Sequence, residues 1–258
     1  KIKKMLNKIY KTIHNRYSKF FRFIFFLRYL FTIFLISIAL FLIIPNYFNY
    51  EKRAETIKNH LFENYNFEID RYKEIKFQAL PLPKLVIKGA LINFGTSNIK
   101  FKTKYLSIYP RIFSIYNYKN FQTKKIVLNK NNINLRISKL KFFTTYFFNQ
   151  KNNLYIDDLD LQINDEDKSI IEFKNISFSN FGYKKNIVQG EVFGKKFITK
   201  IDNNFESINF ELLNSGINAN INLDEKNKDI VSGVLKSKII NNKLKFNFKY
   251  NFKVLEIY

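Results

Sequence analysis

Strict alternation of apolar and polar residues dominates the chain after residue 66. A period of two places apolar side chains on one face of a β-strand and polar side chains on the other. Polar turn sequences such as Asn241-Asn242 separate the alternating runs, as in an antiparallel meander. The clearest run extends from Leu244 to Phe252. The apolar positions that define the predicted face are Ile126, Leu128, Ile133, Leu135, Leu159, Leu161, Ile163, Ile217, Ile221, Leu223, Phe246 and Phe248.

Helical spacing occurs in one short segment before these strands. In residues 51–65, Ala54, Ile57, Leu61 and Phe62 recur at intervals of three or four, which predicts an amphipathic helix ending near Tyr65-Asn66. No helical pattern of useful length is predicted after that. A one-sided sheet without a covering helix must curl on itself, dimerise or hold an apolar guest. We therefore predict a mainly β protein whose elongated, curved antiparallel sheet forms a groove.

A long apolar segment precedes this short helix. Residues 23–44 are interrupted by a single charge, Arg28, and at about 1.5 Å per residue they extend about 33 Å, enough for a hydrocarbon core of about 30 Å. Pro45-Asn46-Tyr47-Phe48 lacks the small residues of a signal-peptide cleavage site. We predict an uncleaved transmembrane helix over residues 23–48. Its anchoring residues are Arg28, Tyr29, Leu30, Phe34, Leu35, Ile38 and Leu42.

Charge is distributed unevenly along the chain. Residues 1–28 carry nine basic residues and no acid, so the positive-inside rule places the tail of residues 1–22 in the cytoplasm and residues 66–258 on the opposite side. The net charge of +23 could indicate nucleic acid, but 37 of the 44 basic residues are Lys. A phosphate-binding face would favour Arg, and AT-rich codons explain much of the Lys excess. We expect no nucleic-acid partner.

Residues for catalysis or metal binding form no recognisable constellation. The two histidines, His14 and His60, fall on opposite sides of the predicted membrane and cannot share a metal. Asp157, Asp158 and Asp160 lack the spacing of a calcium loop and are explained by solvated strand faces. The sequence also lacks nucleotide-binding and nucleophile motifs. We expect no cofactor, no metal and no enzymatic activity.

The order of features within residues 23–137 resembles the N-terminal part of the AsmA-like family. A P-x-P-x-L strand begins at Pro81, a strand runs into a small loop over residues 106–114, and a strand–turn–strand unit covers residues 125–135. Tyr65-Asn66 stands where the family commonly has Thr-Gly. The chain starts at Lys1 and is shorter than many members, so we expect a fragment or a short member.

The resemblance implies a Gram-negative inner-membrane protein with a periplasmic β-groove. Such a protein would carry or bridge phospholipid or another envelope lipid between the membranes, or affect outer-membrane assembly. Two alternatives stay open: an envelope scaffold whose apolar face is sealed by a partner or a second sheet, and an outer-membrane β-barrel. An uncleaved N-terminal helix disfavours the barrel. The sequence identifies no protein partner.

Overall fold

The computed structural model describes residues 2–94, 99–166, 168–202, 204, 206–226, 231–250 and 255–257 of the 258-residue chain. The chain divides into two compact units, Lys1–Phe48 and Asn49–Tyr258. The first unit consists of helical elements. The second unit, called the β-body below, is built on one large sheet.

The first unit is a single α-helix, α1 (Ile2–Ile43), followed by a short 3-10 helix at Ile44–Tyr47. The hydroxyls within its apolar part are paired with the helix backbone: Thr32 Oγ1 donates to Arg28 O (2.9 Å) and Ser37 Oγ donates to Ile33 O (2.8 Å). This pairing suits an apolar environment, which offers such groups no other partner. Among the described residues, one helix, Ser18–Tyr47, is long and apolar enough to span a membrane.

All the predicted anchoring residues lie in α1, and most expose their side chains. The helix begins well before residue 23, so the basic segment of residues 2–22 belongs to the same helix as the apolar segment.

The β-body begins with a 3-10 turn, Glu51–Arg53, and α2 (Ala54–Tyr65), which confirms the predicted short helix. Its buried stripe is Ala54, Ile57, Leu61 and Tyr65, whereas the predicted Phe62 is exposed. The helix ends because Asn66 adopts the left-handed conformation (φ 51°) and its backbone N–H donates to Phe62 O (2.8 Å).

The strands of the β-body form one curved, open sheet, so the predicted mainly β architecture is confirmed. The predicted strand up to Phe252 is observed as far as Tyr250, and Phe252 itself lies outside the described residues. The strands are β1 (Phe67–Arg71), β2 (Glu74–Gln78), β3 (Lys84–Phe94), β4 (Lys100–Pro110), β5 (Thr123–Arg136), β6 (Leu154–Asp165), β7 (Lys168–Ser179), β8 (Ile187–Val192), β9 (Lys195–Ile201), β10 (Ser207–Leu212), β11 (Ile217–Lys226), β12 (Val231–Ile239), β13 (Asn242–Tyr250) and β14 (Leu255–Ile257).

From β3 to β14 the strands follow one another in chain order across the sheet. Both β1 and β2 pair with β3: β2 pairs with its first half and β1 with its second half. Neighbouring strands are antiparallel with one exception, because β5 and β6 are parallel. A parallel pair needs a crossover connection that returns the chain to the starting end of the strand. That crossover is a helix, α3 (Ile137–Asn149).

Helix α3 corrects the prediction that no helix of useful length follows residue 66. Its sequence is rich in Phe, Thr and Tyr, residues that favour strands, so local preference gave little sign of a helix. The helical spacing of Phe143 and Phe147 was the available signal, since both are buried. Tertiary context decides here, because a helical crossover places Phe143 and Phe147, one turn apart, on the face that packs against the sheet.

Candidate functional site

One face of the sheet is predominantly apolar from β3 to β13. Pairing register defines a row of eleven residues, one from each strand, in which each residue is paired directly with the next. Only two members, Thr199 and Ser237, are polar. The row is Ile87, Leu106, Leu128, Ile156, Phe178, Val188, Thr199, Phe210, Ala219, Ser237 and Leu244. We call the surface around this row the apolar face.

The opposite face is polar. In β9 to β13, the residues one position along each strand from the apolar row form a second paired row, and this row consists only of Lys and Asn. Because the side chains alternate, this part of the sheet is one-sided, as the alternation predicted. The row is Lys200, Asn209, Asn220, Lys236 and Lys245.

A transverse crease bends the first strands of the sheet. Gly89, Lys130, Asp158 and Asn175, in β3, β5, β6 and β7, all have φ between 51° and 60°, in the left-handed region. At the crease, apolar positions on a strand are three residues apart instead of two, and the residues on either side of it are buried except Phe173, which is half-buried. The crease therefore lets the apolar face continue round a bend. Pairs that span it are Ile87 and Ala90, Ile156 and Leu159, and Phe173 and Ile176.

Side chains from β5 and β6 complete the hydrogen bonding at the crease. Asn129 Nδ2 donates to Asp157 Oδ2 (2.7 Å), and Asn131 Nδ2 donates to Asp157 O (2.8 Å). In the same way the backbone N–H of Asn175 donates to Asp160 Oδ1 (3.2 Å). A left-handed non-glycine residue costs about 1–2 kcal/mol, which these hydrogen bonds help to offset. The acidic residues of β6 therefore have a structural role in the bend.

Helix α3 covers the apolar face at the creased end. Phe94 in β3 is surrounded by aromatic rings of this helix, with centroid separations of 6.2 Å to Phe143, 5.2 Å to Tyr146 and 5.6 Å to Phe147. Further along the sheet, Phe147 contacts Phe178 of β7 (6.2 Å) in an edge-on arrangement. Such edge-to-face pairs add to the stabilisation that burial provides. The cluster closes the face from β3 to β7.

Helices α2 and α3 meet and form a joint cover. Tyr146 Oη donates to the carbonyl oxygen of Tyr65 at the end of α2, and Asn152 Nδ2 donates to Asn64 O (2.7 Å). Burial raises the pKa of both tyrosines, which keeps their hydroxyls protonated. We call strands β3–β7 with α2 and α3 the covered part of the apolar face.

Seven of the twelve residues predicted to line a groove lie in the covered part and are at most 7% exposed. They belong to the hydrophobic core, and they lie on β5 and β6, the strands on which α3 packs; the sequence did not predict this helix. The seven are Ile126, Leu128, Ile133, Leu135, Leu159, Leu161 and Ile163.

The other five predicted residues lie on β11 and β13, where they are half-buried. We call strands β9–β13 the open part of the apolar face. Its side chains form a second row in which Ile201, Ile208, Ile221, Leu235 and Phe246 are paired in turn. The five predicted residues are Ile217, Ile221, Leu223, Phe246 and Phe248.

Aromatic rings connect the covered part with the open part. Phe197 of β9 lies 5.7 Å from Phe173 and 6.0 Å from Phe210, measured between ring centroids. Sequence analysis missed Phe197 and Leu235. The short alternation of Phe197, Thr199 and Ile201 could have revealed the first, whereas Gly233 interrupts the pattern around the second.

The structure places His60 in a packing role. Its ring hydrogen bonds with Thr123 Oγ1 (3.1 Å) and lies edge-on to Phe121 (5.2 Å), which ties α2 to the start of β5. Burial lowers the pKa of this histidine, with Glu63 opposing the shift. Within the described part of the chain, no group of three metal-ligating side chains comes together.

Comparisons with known proteins returned no match: no family model, curated protein or solved structure matches this chain. The resemblance to the AsmA-like family stays a prediction. The apolar face and the apolar helix are the features on which a functional argument can rest.

Proposed function

We propose that this protein is a membrane-anchored lipid-handling protein that holds acyl chains against the open part of its apolar face. One observation carries the proposal: a single apolar face runs across eleven strands, and it is covered at one end and half-exposed at the other. Soluble surfaces rarely leave so many adjacent apolar side chains accessible without a binding role.

Acyl chains match the chemistry of this surface. Burial of apolar area is non-directional and contributes about 0.8 kcal/mol per methylene, so several contacted methylenes would suffice for reversible binding. In the row that defines the face, the polar members are the two hydroxyl residues Thr199 and Ser237. We therefore expect loose selectivity for the acyl chain.

The proposed location is the bacterial inner membrane. The Lys- and Arg-rich N-terminal segment would lie in the cytoplasm by the positive-inside rule, and the β-body in the periplasm. There the anchor would keep the β-body attached to a membrane that is a source of phospholipid. The resemblance to the AsmA-like family adds transfer or bridging of lipid towards the outer membrane, in support of outer-membrane biogenesis.

Site-specific photocross-linking of the full chain in membranes tests this proposal. A benzophenone amino acid at Phe246 would sit on the apolar face, and the same amino acid at the adjacent Asn247 would sit on the polar face. We expect radiolabelled phospholipid to be cross-linked at position 246 and not at 247. Substitution Ile221→Asp, in the same row of the face, should abolish the lipid adduct.

The two positions also separate the alternatives. A protein adduct at position 246 without lipid would support the envelope scaffold, in which a partner seals the face. Equal lipid labelling at 246 and 247 would show only general proximity to the bilayer and would contradict binding on the apolar face.

A further inference from the structure

Four large apolar side chains are strongly exposed on two loops of the β-body. Leu80 and Leu82, in the β2–β3 connection, are 68% and 57% exposed, and Ile112 and Phe113, directly after β4, are 58% and 80% exposed. We call these four residues the apolar tip. None of them belongs to the apolar face of the sheet.

The two loops lie next to each other because the strands that carry them are neighbours. Gln78 pairs with Lys84 at the base of the first loop, and Leu85 pairs with Ile108 near the base of the second. Both loops therefore leave the same end of the sheet, one strand apart. The four apolar side chains are therefore carried on adjacent connections at one end of the sheet.

The second loop is held in a fixed shape. Arg111 N–H donates to Gln122 O (2.9 Å) and closes the loop at its base. Ser114 Oγ lies 2.8 Å from Arg111 O and 2.9 Å from Gln122 O, and the next residue, Ile115, is buried. Ile112 and Phe113 are therefore exposed side chains on a loop whose base is fixed by hydrogen bonds.

The sequence around the tip is basic. Between Glu74 and Asp157 the sequence contains fifteen Lys or Arg residues and no acid, and this stretch includes both loops. Arg111 directly precedes Ile112, Lys84 follows Leu82 after Pro83, and Lys119 lies in the second loop. Near an anionic membrane each basic residue contributes about 1 kcal/mol of attraction. Apolar side chains surrounded by basic ones are the composition of segments that bind at membrane interfaces.

The chain enters the β-body at this same end of the sheet. The membrane-spanning candidate ends at Tyr47, and Tyr50 follows only three residues later. Tyr50 stacks on Phe77 at the end of β2 (6.4 Å) and contacts Tyr118 in the second loop (6.4 Å). The two loops of the tip thus flank the first residues of the β-body.

We propose that the apolar tip inserts into the interface of an anionic bilayer and forms a second membrane contact in addition to the helical anchor. Leu80, Leu82, Ile112 and Phe113 would enter the boundary between head groups and acyl chains, and the adjoining basic residues would bind anionic head groups. The contact would set the orientation of the β-body on the membrane. It requires α1 to span the membrane and is independent of lipid binding on the apolar face.

The absence of cysteine from the chain makes the insertion directly measurable. Single cysteines in the full chain, Leu82→Cys and Phe113→Cys, are labelled with an environment-sensitive fluorophore after reconstitution into phosphatidylcholine–phosphatidylglycerol vesicles. Phe193→Cys serves as the matched control, since Phe193 is also a turn phenylalanine and is 81% exposed. We expect lipid-attached nitroxides to quench the two tip probes roughly threefold more than the control.

Two further variants test the contributions to insertion. Ile112→Asp should make the fluorophore at position 82 more accessible to a water-soluble quencher, because a carboxylate opposes insertion of its neighbours into the bilayer. Lys84→Glu should weaken lipid quenching at Phe113 in anionic vesicles and change it little in neutral ones. Circular dichroism establishes that each variant is folded. Tip probes that are accessible to the aqueous quencher to the same extent as the Phe193 probe would overturn the proposal.

Discussion

The covered and open parts of the apolar face both arise from alternating strands, but only the covered part is creased and has helices packed against it. In the covered part, Leu128 and Leu161 are core residues of the two strands on which α3 packs. In the open part, Ile221 and Phe246 continue the same face and stay half-exposed. The comparison shows that an amphipathic strand specifies a surface, and that a separate element decides whether the surface becomes core or binding site.

The largest expected difference between the two parts comes from a buried charge. Leu161→Asp places a carboxylate in the covered part and should lower the free energy of unfolding by several kcal/mol, enough to prevent folding. Ile221→Asp, in the open part, keeps access to water and should cost about 1–2 kcal/mol. Urea unfolding of the full chain in detergent micelles, followed by circular dichroism, measures both. Equal losses would mean that the open part is sealed.

Breaking the hydrogen-bonded contact between α2 and α3 should lower the stability by a smaller amount, and only locally. Tyr146→Phe removes the hydroxyl that donates to Tyr65 O and leaves that carbonyl without this partner, at a cost of about 1 kcal/mol. Hydrogen exchange should then speed up in α2 and α3 and stay unchanged in β11 and β12. Lys245→Ala, at an exposed position of the polar face, is the control, and an equal effect from it would refute a specific joint.

The crease can be tested with glycine at two facing positions. Lys130 is left-handed and Lys104, at the same register on β4, is not. Lys130→Gly should stabilise the β-body by up to about 1 kcal/mol, because glycine adopts this conformation freely. Lys104→Gly should destabilise it by about 0.5–1 kcal/mol. If the two substitutions shift the unfolding midpoint in the same direction, the left-handed crease does not govern the bend.

The smallest expected effect is a pH dependence of the cover. Burial lowers the pKa of His60 in the folded state, so the unfolded chain binds this proton more readily. The free energy of unfolding is therefore highest above the ordinary histidine pKa of about 6.5. It decreases as the pH falls from there through the lower pKa that His60 has in the folded protein. Because the ring is only half-buried, the loss should stay below about 1 kcal/mol. A His60→Gln variant should remove this part of the pH profile in urea titrations.

Local patterns were enough to predict much of the molecule. The apolar run of residues 23–44 predicted a helix of spanning length, and Ala54, Ile57 and Leu61 predicted α2. The alternating runs predicted the strands and put all twelve proposed face residues on one side of the sheet. These predictions succeeded because the helical period of 3.6 residues and the strand period of 2 residues can be recognised from residues that are close together in the sequence.

Only the tertiary structure decided which of those residues stay accessible. The parallel pairing of β5 with β6 requires a crossover, and the packing of that crossover on the sheet makes α3 a helix despite its strand-favouring residues. The left-handed conformations of Lys130 and Asp158 depend on hydrogen bonds between strands that are distant in sequence. Sequence alone determined a one-sided sheet after an apolar helix. Where its apolar face is closed and where it stays open depends on long-range packing, which a local period does not encode.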